Sequence, residues 1–244
     1  ARLADKYDSR MREVYMLGKN VNLSADRAYY AFDSEISVIS NYSFPSPSLG
    51  MQTIILGFDF NVDPMCAVEM IIDGDTRIQT DEYLIHSSNT GELCEYIIAR
   101  LNEKYERGTE IIITGDASGH SKKSSSLGST DYSIIKEYFD QTGYKVKYCP
   151  PRKNPPVRER INYANKMFET GKYLITQNCK LSIRDRGLVT WKQETDGFII
   201  DKSRPDISHL SDAGDYALWA SRSVDNTGNG INAIETYGVQ REYG

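Results

Sequence analysis

Three aspartates lie where carboxylates could share a divalent cation. Asp59 lies at the end of the apolar run QTIILGFDF, Asp116 ends IIITGD, and Asp212 lies within ISHLSDAGDYALW. A carboxylate at the end of a buried strand is costly to desolvate, so a partner, a solvent-lined cleft or a cation is expected beside it. Carboxylate oxygens suit Mg²⁺ or Mn²⁺. Two such ions about 3.5 to 4 Å apart can stabilise the attacking and leaving oxygens of a phosphodiester displacement.

The order of the predicted elements would place these acids together. Residues 52–86 read as three strands in an antiparallel meander, joined by short turns. A helix follows from Asn89 and Thr90, and EIIITGD then reads as a short strand buried on both faces. Two further helices alternate with the strand KVKYCP, and the last helix closes at Gly171. This β-β-β-α-β-α-β-α order predicts an α/β fold of the ribonuclease H-like type, a mixed sheet flanked by helices.

In a fold of that type, the first and fourth strands are parallel neighbours near the centre of the sheet. Asp59 and Asp116 would then face each other across about 4.8 Å of strand spacing. Asp212 precedes the apolar helix YALWASR and would lean over the same sheet end. The sequence therefore predicts that the three carboxylates converge.

Two other segments have weaker local patterns. Residues 27–40, RAYYAFDSEISVIS, read as extended structure. Residues 184–193, RDRGLVTWKQ, read as a hairpin within the long stretch between residues 171 and 208.

Composition limits the class of protein. The chain has 244 residues, which fits one main domain, and its net charge of −5 argues against a protein that coats nucleic acid through overall charge. The four cysteines form no CxxC pair, which favours reduced thiols over a zinc site. No apolar run approaches the roughly 20 residues of a membrane span. We therefore expect a soluble protein with no membrane partner.

Three motifs carry a resemblance to a known family. GFDFNVDP at 57–64, ITGDASG at 113–119 and HLSDAGDYALW at 209–219 are similar to the three metal motifs of the nuclease domain of the large terminase subunit, the DNA-packaging motor of tailed bacteriophages. The resemblance covers residues 26–222, predicted as the nuclease domain. Residues 1–25 resemble the end of a linker, and residues 223–244 are predicted to be a flexible tail.

The resemblance implies roles for particular residues. Asp59, Asp116 and Asp212 would be the catalytic metal ligands for two Mg²⁺ or Mn²⁺ ions, with His209 and Asp215 as weaker, auxiliary candidates. It also implies a double-stranded DNA substrate, the portal and the small terminase subunit as partners, and a host-cytoplasmic location, transiently at the procapsid portal. The family's full-length chain carries an N-terminal ATPase domain, whose GxxxxGK loop followed by Ser or Thr is missing here.

Basic clusters near these motifs are candidate DNA contacts, although each cluster could equally be a solvated face. They would supply salt-dependent binding without sequence preference. The candidates are Lys122, Lys123, Arg152, Lys153, Arg158, Arg160, Arg184, Arg186 and Lys192.

Two alternatives remain open from the sequence. The same acids would serve another ribonuclease H-like enzyme, such as a junction resolvase or a ribonuclease H. They could also be structural in a non-catalytic module that docks DNA or protein: Asp59 and Asp116 would cap turns, and Asp212 would complement the positive end of a helix.

Overall fold

A computed structural model describes residues 27–42, 53–61, 63–122, 128–194, 197–204 and 206–224. Within these residues the chain forms a mixed seven-stranded sheet with helices on both faces, and a separate two-stranded hairpin. The strands are β1 Val38–Ile39, β2 Thr53–Asp59, β3 Met65–Asp73, β4 Thr76–Ile85, β5 Glu110–Gly115, β6 Lys145–Tyr148, β7 Tyr173–Thr176, β8 Trp191–Glu194 and β9 Gly197–Ile200. The helices are α1 Ser34–Ser37, α2 Thr90–Lys104, α3 Asp131–Phe139, α4 Val157–Glu169, α5 Lys180–Leu188 and α6 His209–Ala220.

The sheet has the predicted ribonuclease H-like arrangement. Its strand order is β1-β7-β4-β3-β2-β5-β6. Strands β2, β3 and β4 form the antiparallel meander, while β5 pairs parallel to β2 and β6 pairs parallel to β5. Strand β7, from the long stretch after residue 171, extends the sheet beside β4 in parallel, and β1 pairs with β7. The predicted fold class is confirmed.

Strand β2 is central because both of its faces are apolar. Successive side chains of a strand point to opposite faces, so Ile54 and Leu56 pack with the buried side chains of α2 and α3. Ile55 lies in the second core, with Ile161 of α4 and Ala213 of α6. The predicted start of α2 is also confirmed, since the Asn89 side chain accepts the Glu92 N–H.

Helix α6 crosses β2 at very close range. A Cβ added at Gly57 would collide with the carbonyl oxygen of Ala213 and would lie 2.9 Å from the Ala217 Cβ. Glycine on the strand and alanines on the helix therefore allow backbone to approach backbone here.

Two sequence-based predictions of local structure are wrong. Residues 27–40 are not extended: a turn leads into helix α1, and only Val38–Ile39 forms a strand. The hairpin predicted within 184–193 lies later, at β8 and β9, because α5 continues to Leu188.

The predicted linker, residues 1–25, lies outside the described residues, as does the predicted tail after residue 224. The domain boundaries therefore stay predictions. Among the described helices, none has both the length and the apolar character needed to span a bilayer.

Candidate metal centre

Asp59 is held at the end of β2 by a small polar group. Its side chain is buried, its Oδ2 accepts a hydrogen bond from the Asn61 amide, and the same oxygen lies 3.3 Å from His209 Nδ1. Asn61 Nδ2 is also 2.9 Å from that ring nitrogen. The first motif and the start of α6 are therefore in direct contact.

Asp116 is fixed beside Asp59 by the pairing of β2 with β5. Its N–H donates to the Phe58 carbonyl at 3.0 Å, which continues the parallel ladder by one residue. The Asp116 carboxylate accepts from the Ser118 N–H at 2.5 Å, the Asn154 amide at 3.1 Å and the Tyr216 hydroxyl at 2.9 Å. Burial favours the neutral carboxyl, but these hydrogen bonds outweigh it and hold the pKa of Asp116 below its usual value.

One face of α6 lies over both strand ends. Three of its residues, His209, Asp212 and Tyr216, are spaced by three and four positions and so share that face. The first of them reaches Asp59 and the last reaches Asp116, which leaves Asp212 between the two strand-borne acids along the helix.

The start of α6 is anchored from the neighbouring helix. Ser208, which precedes the helix, has a left-handed backbone with a φ of 92°. The buried carboxylate of Asp185 on α5 accepts backbone hydrogen bonds from Leu210 and Ser208. Donors at a helix N-terminus lack partners within their own helix, so Asp185 satisfies two of them and fixes where α6 begins.

Asp212 carries the strongest sign of crowded negative charge. Its side chain is 24% exposed, and its Oδ1 lies 3.3 Å from Arg160 Nη2. Burial raises the pKa of Asp212 to about 7, the Arg160 charge opposes the rise, and the nearby Asp59 and Asp215 add to it. Repulsion from Asp59 places the first and third acids within electrostatic reach of each other.

The donor set fits a hard divalent cation in type and in position. Carboxylate oxygens from β2, from the end of β5 and from α6 are gathered at one end of the sheet, and a cation there would relieve the repulsion between Asp59 and Asp212. As the side chains stand, however, the described residues contain no group of three or more His, Cys, Asp or Glu side chains placed to hold a metal ion. The assignment of the three aspartates as metal ligands therefore stays a prediction.

The two auxiliary candidates behave differently. His209 lies within the site, against Asp59 and Asn61. Asp215 lies in the core at 1% exposure, where Oδ1 pairs with Arg186 Nη1 at 2.6 Å and Oδ2 accepts from the Tyr29 hydroxyl at 2.9 Å. Both oxygens of Asp215 are thus engaged, and its predicted role as a metal ligand is contradicted by this arrangement.

The predicted DNA contacts divide by exposure. Arg160 is 4% exposed and Arg186 is fully buried, so both were wrongly predicted to face DNA. Arg158 lies against the rings of Trp191 and Phe198, and Arg184 pairs with aspartates, so both are engaged within the protein. The exposed candidates are Lys122, Arg152, Lys153 and Lys192, whereas Lys123 lies outside the described residues.

The sequence analysis missed two residues that hold Asp116. Tyr216 was detectable in principle, because it lies four positions after Asp212 and so shares its helix face. Asn154 had no such signal. It follows Arg152 and Lys153 in a turn, donates to the Asp116 carboxylate and accepts the Ala117 N–H at 2.7 Å, contacts that only the folded chain creates.

Comparison with solved structures identifies the fold. The chain is similar to the full-length large terminase of a thermophilic bacteriophage, with a TM-score of 0.63 and 18% identity over 88% of this chain and 50% of that one. It is similar to the phage P22 large terminase nuclease domain, with a TM-score of 0.58 and 14% identity over 82% of this chain and 95% of the domain. It also resembles the large terminase nuclease of the thermophilic phage G20c with bound magnesium, with a TM-score of 0.52 and 15% identity over 83% of this chain and 100% of the other.

These likenesses establish the fold of the large terminase nuclease domain, and the chain spans about half the length of the first of these proteins. No protein-family model matches the sequence, and no curated protein sequence matches it.

Proposed function

We propose that this chain is the metal-dependent endonuclease domain of a viral DNA-packaging motor, which cuts concatemeric double-stranded DNA. The observation that carries the proposal is the seating of α6. His209 and Tyr216 of this helix contact Asp59 and Asp116, and Asp212 lies between them. The likeness in fold to terminase nuclease domains supports the same assignment.

Asp59, Asp116 and Asp212 would hold two Mg²⁺ or Mn²⁺ ions. When bound, such ions would stabilise charge on the oxygens of the phosphodiester that is cut. The protein residues position the ligands: Asn61 and His209 orient the Asp59 carboxylate, while Asn154 and Tyr216 orient that of Asp116. Water is the nucleophile, and its oxygen adds to phosphorus as one P–O ester bond breaks.

Exposed cations beside the site would hold the DNA backbone. Arg152 and Lys153 directly precede Asn154, which contacts Asp116, and Lys122 closes the segment after the second motif. Lys192 lies on the β8–β9 hairpin, whose strand β9 contacts Arg158 at the start of α4. Contacts of this kind bind phosphates without reading sequence, which suits an enzyme that cuts packaged DNA of any sequence.

The proposal extends to the partners of the nuclease. We propose that the domain works within a longer chain that also carries an N-terminal ATPase domain, together with the portal and the small terminase subunit. It would act in the host cytoplasm, transiently at the procapsid portal.

The test is cleavage of supercoiled plasmid by the purified chain with Mg²⁺, with Mn²⁺ and with EDTA. We expect nicked and linear products only with metal, and we expect Asp116→Ala to lower the activity by about 100-fold or more, since one hard ligand is lost. Asp75→Ala is the matched control, because Asp75 is exposed in the β3–β4 turn at the opposite end of the sheet.

Two parallel substrates separate the alternatives. A four-way DNA junction or an RNA–DNA hybrid cut much faster than plasmid would support a resolvase or a ribonuclease H instead. Equal plasmid cleavage by wild type and Asp116→Ala would sink the metal-centre assignment altogether.

A further inference from the structure

Tyr216 and Arg160 connect two of the candidate metal ligands through a continuous set of contacts. The Tyr216 hydroxyl donates to Asp116 Oδ2 at 2.9 Å. The guanidinium carbon of Arg160 lies 4.2 Å from the centre of the Tyr216 ring, and Arg160 Nη2 donates to Asp212 Oδ1 at 3.3 Å. The series Asp116, Tyr216, Arg160, Asp212 thus runs from the end of β5 to the first turn of α6.

We propose that Tyr216 and Arg160 are positioning residues that fix Asp116 and Asp212 relative to each other for metal binding. This inference rests on the proposed function and assigns roles that the three aspartates alone do not explain. The two carboxylates lie on different elements, so their separation depends on side chains that contact both.

Burial makes this arrangement specific. Arg160 is 4% exposed and Tyr216 is 5% exposed, so neither side chain has a free choice of rotamer or a solvent partner of equal quality. The Arg160 guanidinium also lies 3.5 Å from the Asp212 carbonyl oxygen, and its Nε has no hydrogen-bond partner. A planar cation is thus committed to one carboxylate, one carbonyl and one ring face, although a donor remains unsatisfied.

The Asp116 end of the series is fixed from both sides. Asn154 donates to Oδ1 and Tyr216 donates to Oδ2, so the plane of the carboxylate is defined by two donors, one from a turn and one from α6. Removing the Tyr216 hydroxyl leaves Asp116 free to rotate about the remaining bonds. Groups that orient metal ligands in this way typically change metal affinity by about 10- to 100-fold when they are removed.

The decisive variant is Tyr216→Phe, which deletes the hydroxyl and keeps the ring beneath Arg160. Mn²⁺ binding to the full chain, measured by titration calorimetry, should weaken by about 10-fold or more. Tyr144→Phe is the matched control: its hydroxyl donates to Asn102 at 2.9 Å, away from the site, and its loss should leave Mn²⁺ binding unchanged.

Arg160→Lys tests the second residue. It keeps the positive charge beside Asp212 and loses the planar contact with Tyr216, so a change in Mn²⁺ affinity reports lost placement rather than altered charge. We expect binding weaker by several-fold, with circular dichroism spectra and unfolding midpoints used to restrict the comparison to folded protein.

The outcomes separate this inference from the function on which it rests. If wild type binds Mn²⁺ and cuts plasmid while Tyr216→Phe binds Mn²⁺ with equal affinity, the positioning role is wrong and the nuclease stands. If wild type neither binds Mn²⁺ nor cuts DNA, the proposed nuclease itself is overturned.

Discussion

Two aspartates on α6 have opposite roles although they are only three residues apart. The Asp212 side chain is 24% exposed beside Arg160, whereas Asp215 is sealed in the core against Arg186. Helical spacing puts both on nearly the same side, so the pattern HLSDAGDYALW could not separate them. The distinction comes from two arginines on other helices, α4 and α5, whose positions depend on tertiary packing.

The Asp215 pair allows a direct prediction. Asp215→Asn should lower the free energy of unfolding by about 3 to 5 kcal/mol, because it leaves the guanidinium of Arg186 buried without a counter-charge. Urea denaturation measured at neutral pH in EDTA would show this loss.

Asp140→Asn is the comparison for that measurement. Its carboxylate pairs with Lys136 on the surface, so its loss should cost less than about 1 kcal/mol. A similar small cost for Asp215→Asn would contradict the structural role of the buried pair.

The predictable part of the site follows the strand ends. Asp59 and Asp116 could be placed side by side because β2 and β5 are strongly apolar and their parallel pairing follows from element order. Asn154 and Arg160 could not be assigned, because no local period links a turn or a helix to a strand end far away in the chain.

At the level of elements, the correct predictions are those with strong local signals. The meander, α2 and β5 have continuous apolar runs or a clear helical period, and all three form as predicted. Helix α5 has no such period. Its start is stabilised from a distance, because Glu82 on β4 accepts the N–H groups of Leu181 at 2.9 Å and Ser182 at 2.7 Å.

The contact between α6 and β2 predicts an effect at Gly57. Gly57→Ala should destabilise the protein by about 1 to 3 kcal/mol, because the new methyl group collides with the Ala213 backbone and must push α6 away. The displaced helix should also weaken Mn²⁺ binding, since it carries Asp212. Thermal unfolding and metal titration on the same samples test both effects.

Gly187→Ala is the matched control for this substitution. A Cβ at Gly187, in the last turn of α5, meets no atom within 4 Å, so alanine there should be neutral or slightly stabilising. A Gly57→Ala protein as stable as wild type would show that α6 is not held as closely as described.

At the scale of the whole molecule, charge is divided between the two ends of the sheet. The net charge is −5, and the candidate acids add negative potential at one end, so DNA cannot be held there by overall charge. Local cations must do so, and Arg152 and Lys153 are an exposed pair directly before Asn154, which contacts Asp116.

The double variant Arg152→Ala/Lys153→Ala should weaken binding to duplex DNA and reduce its salt dependence. Each lost phosphate contact lowers the slope of log affinity against log salt by about 0.9, so a reduction of about 1 to 2 is expected. Fluorescence anisotropy at several salt concentrations, in Ca²⁺ or EDTA to prevent cutting, measures that slope.

Lys145→Ala/Lys172→Ala removes the same charge from the opposite end of the sheet, where β6 and β7 begin. It should leave the slope unchanged. Equal losses in the two double variants would mean that binding responds to net charge alone, and the predicted DNA surface would be wrong.

The three acids also become available at different times while the chain is synthesised. Strands β2 and β5 leave the ribosome early, whereas α6 is the last α-helix of the described chain to emerge. In the proposed nuclease, a nascent chain with only Asp59 and Asp116 lacks its third ligand and the helix that covers the site. Cutting competence would therefore arise only after nearly the whole domain has been made, which protects nearby DNA from half-finished enzyme.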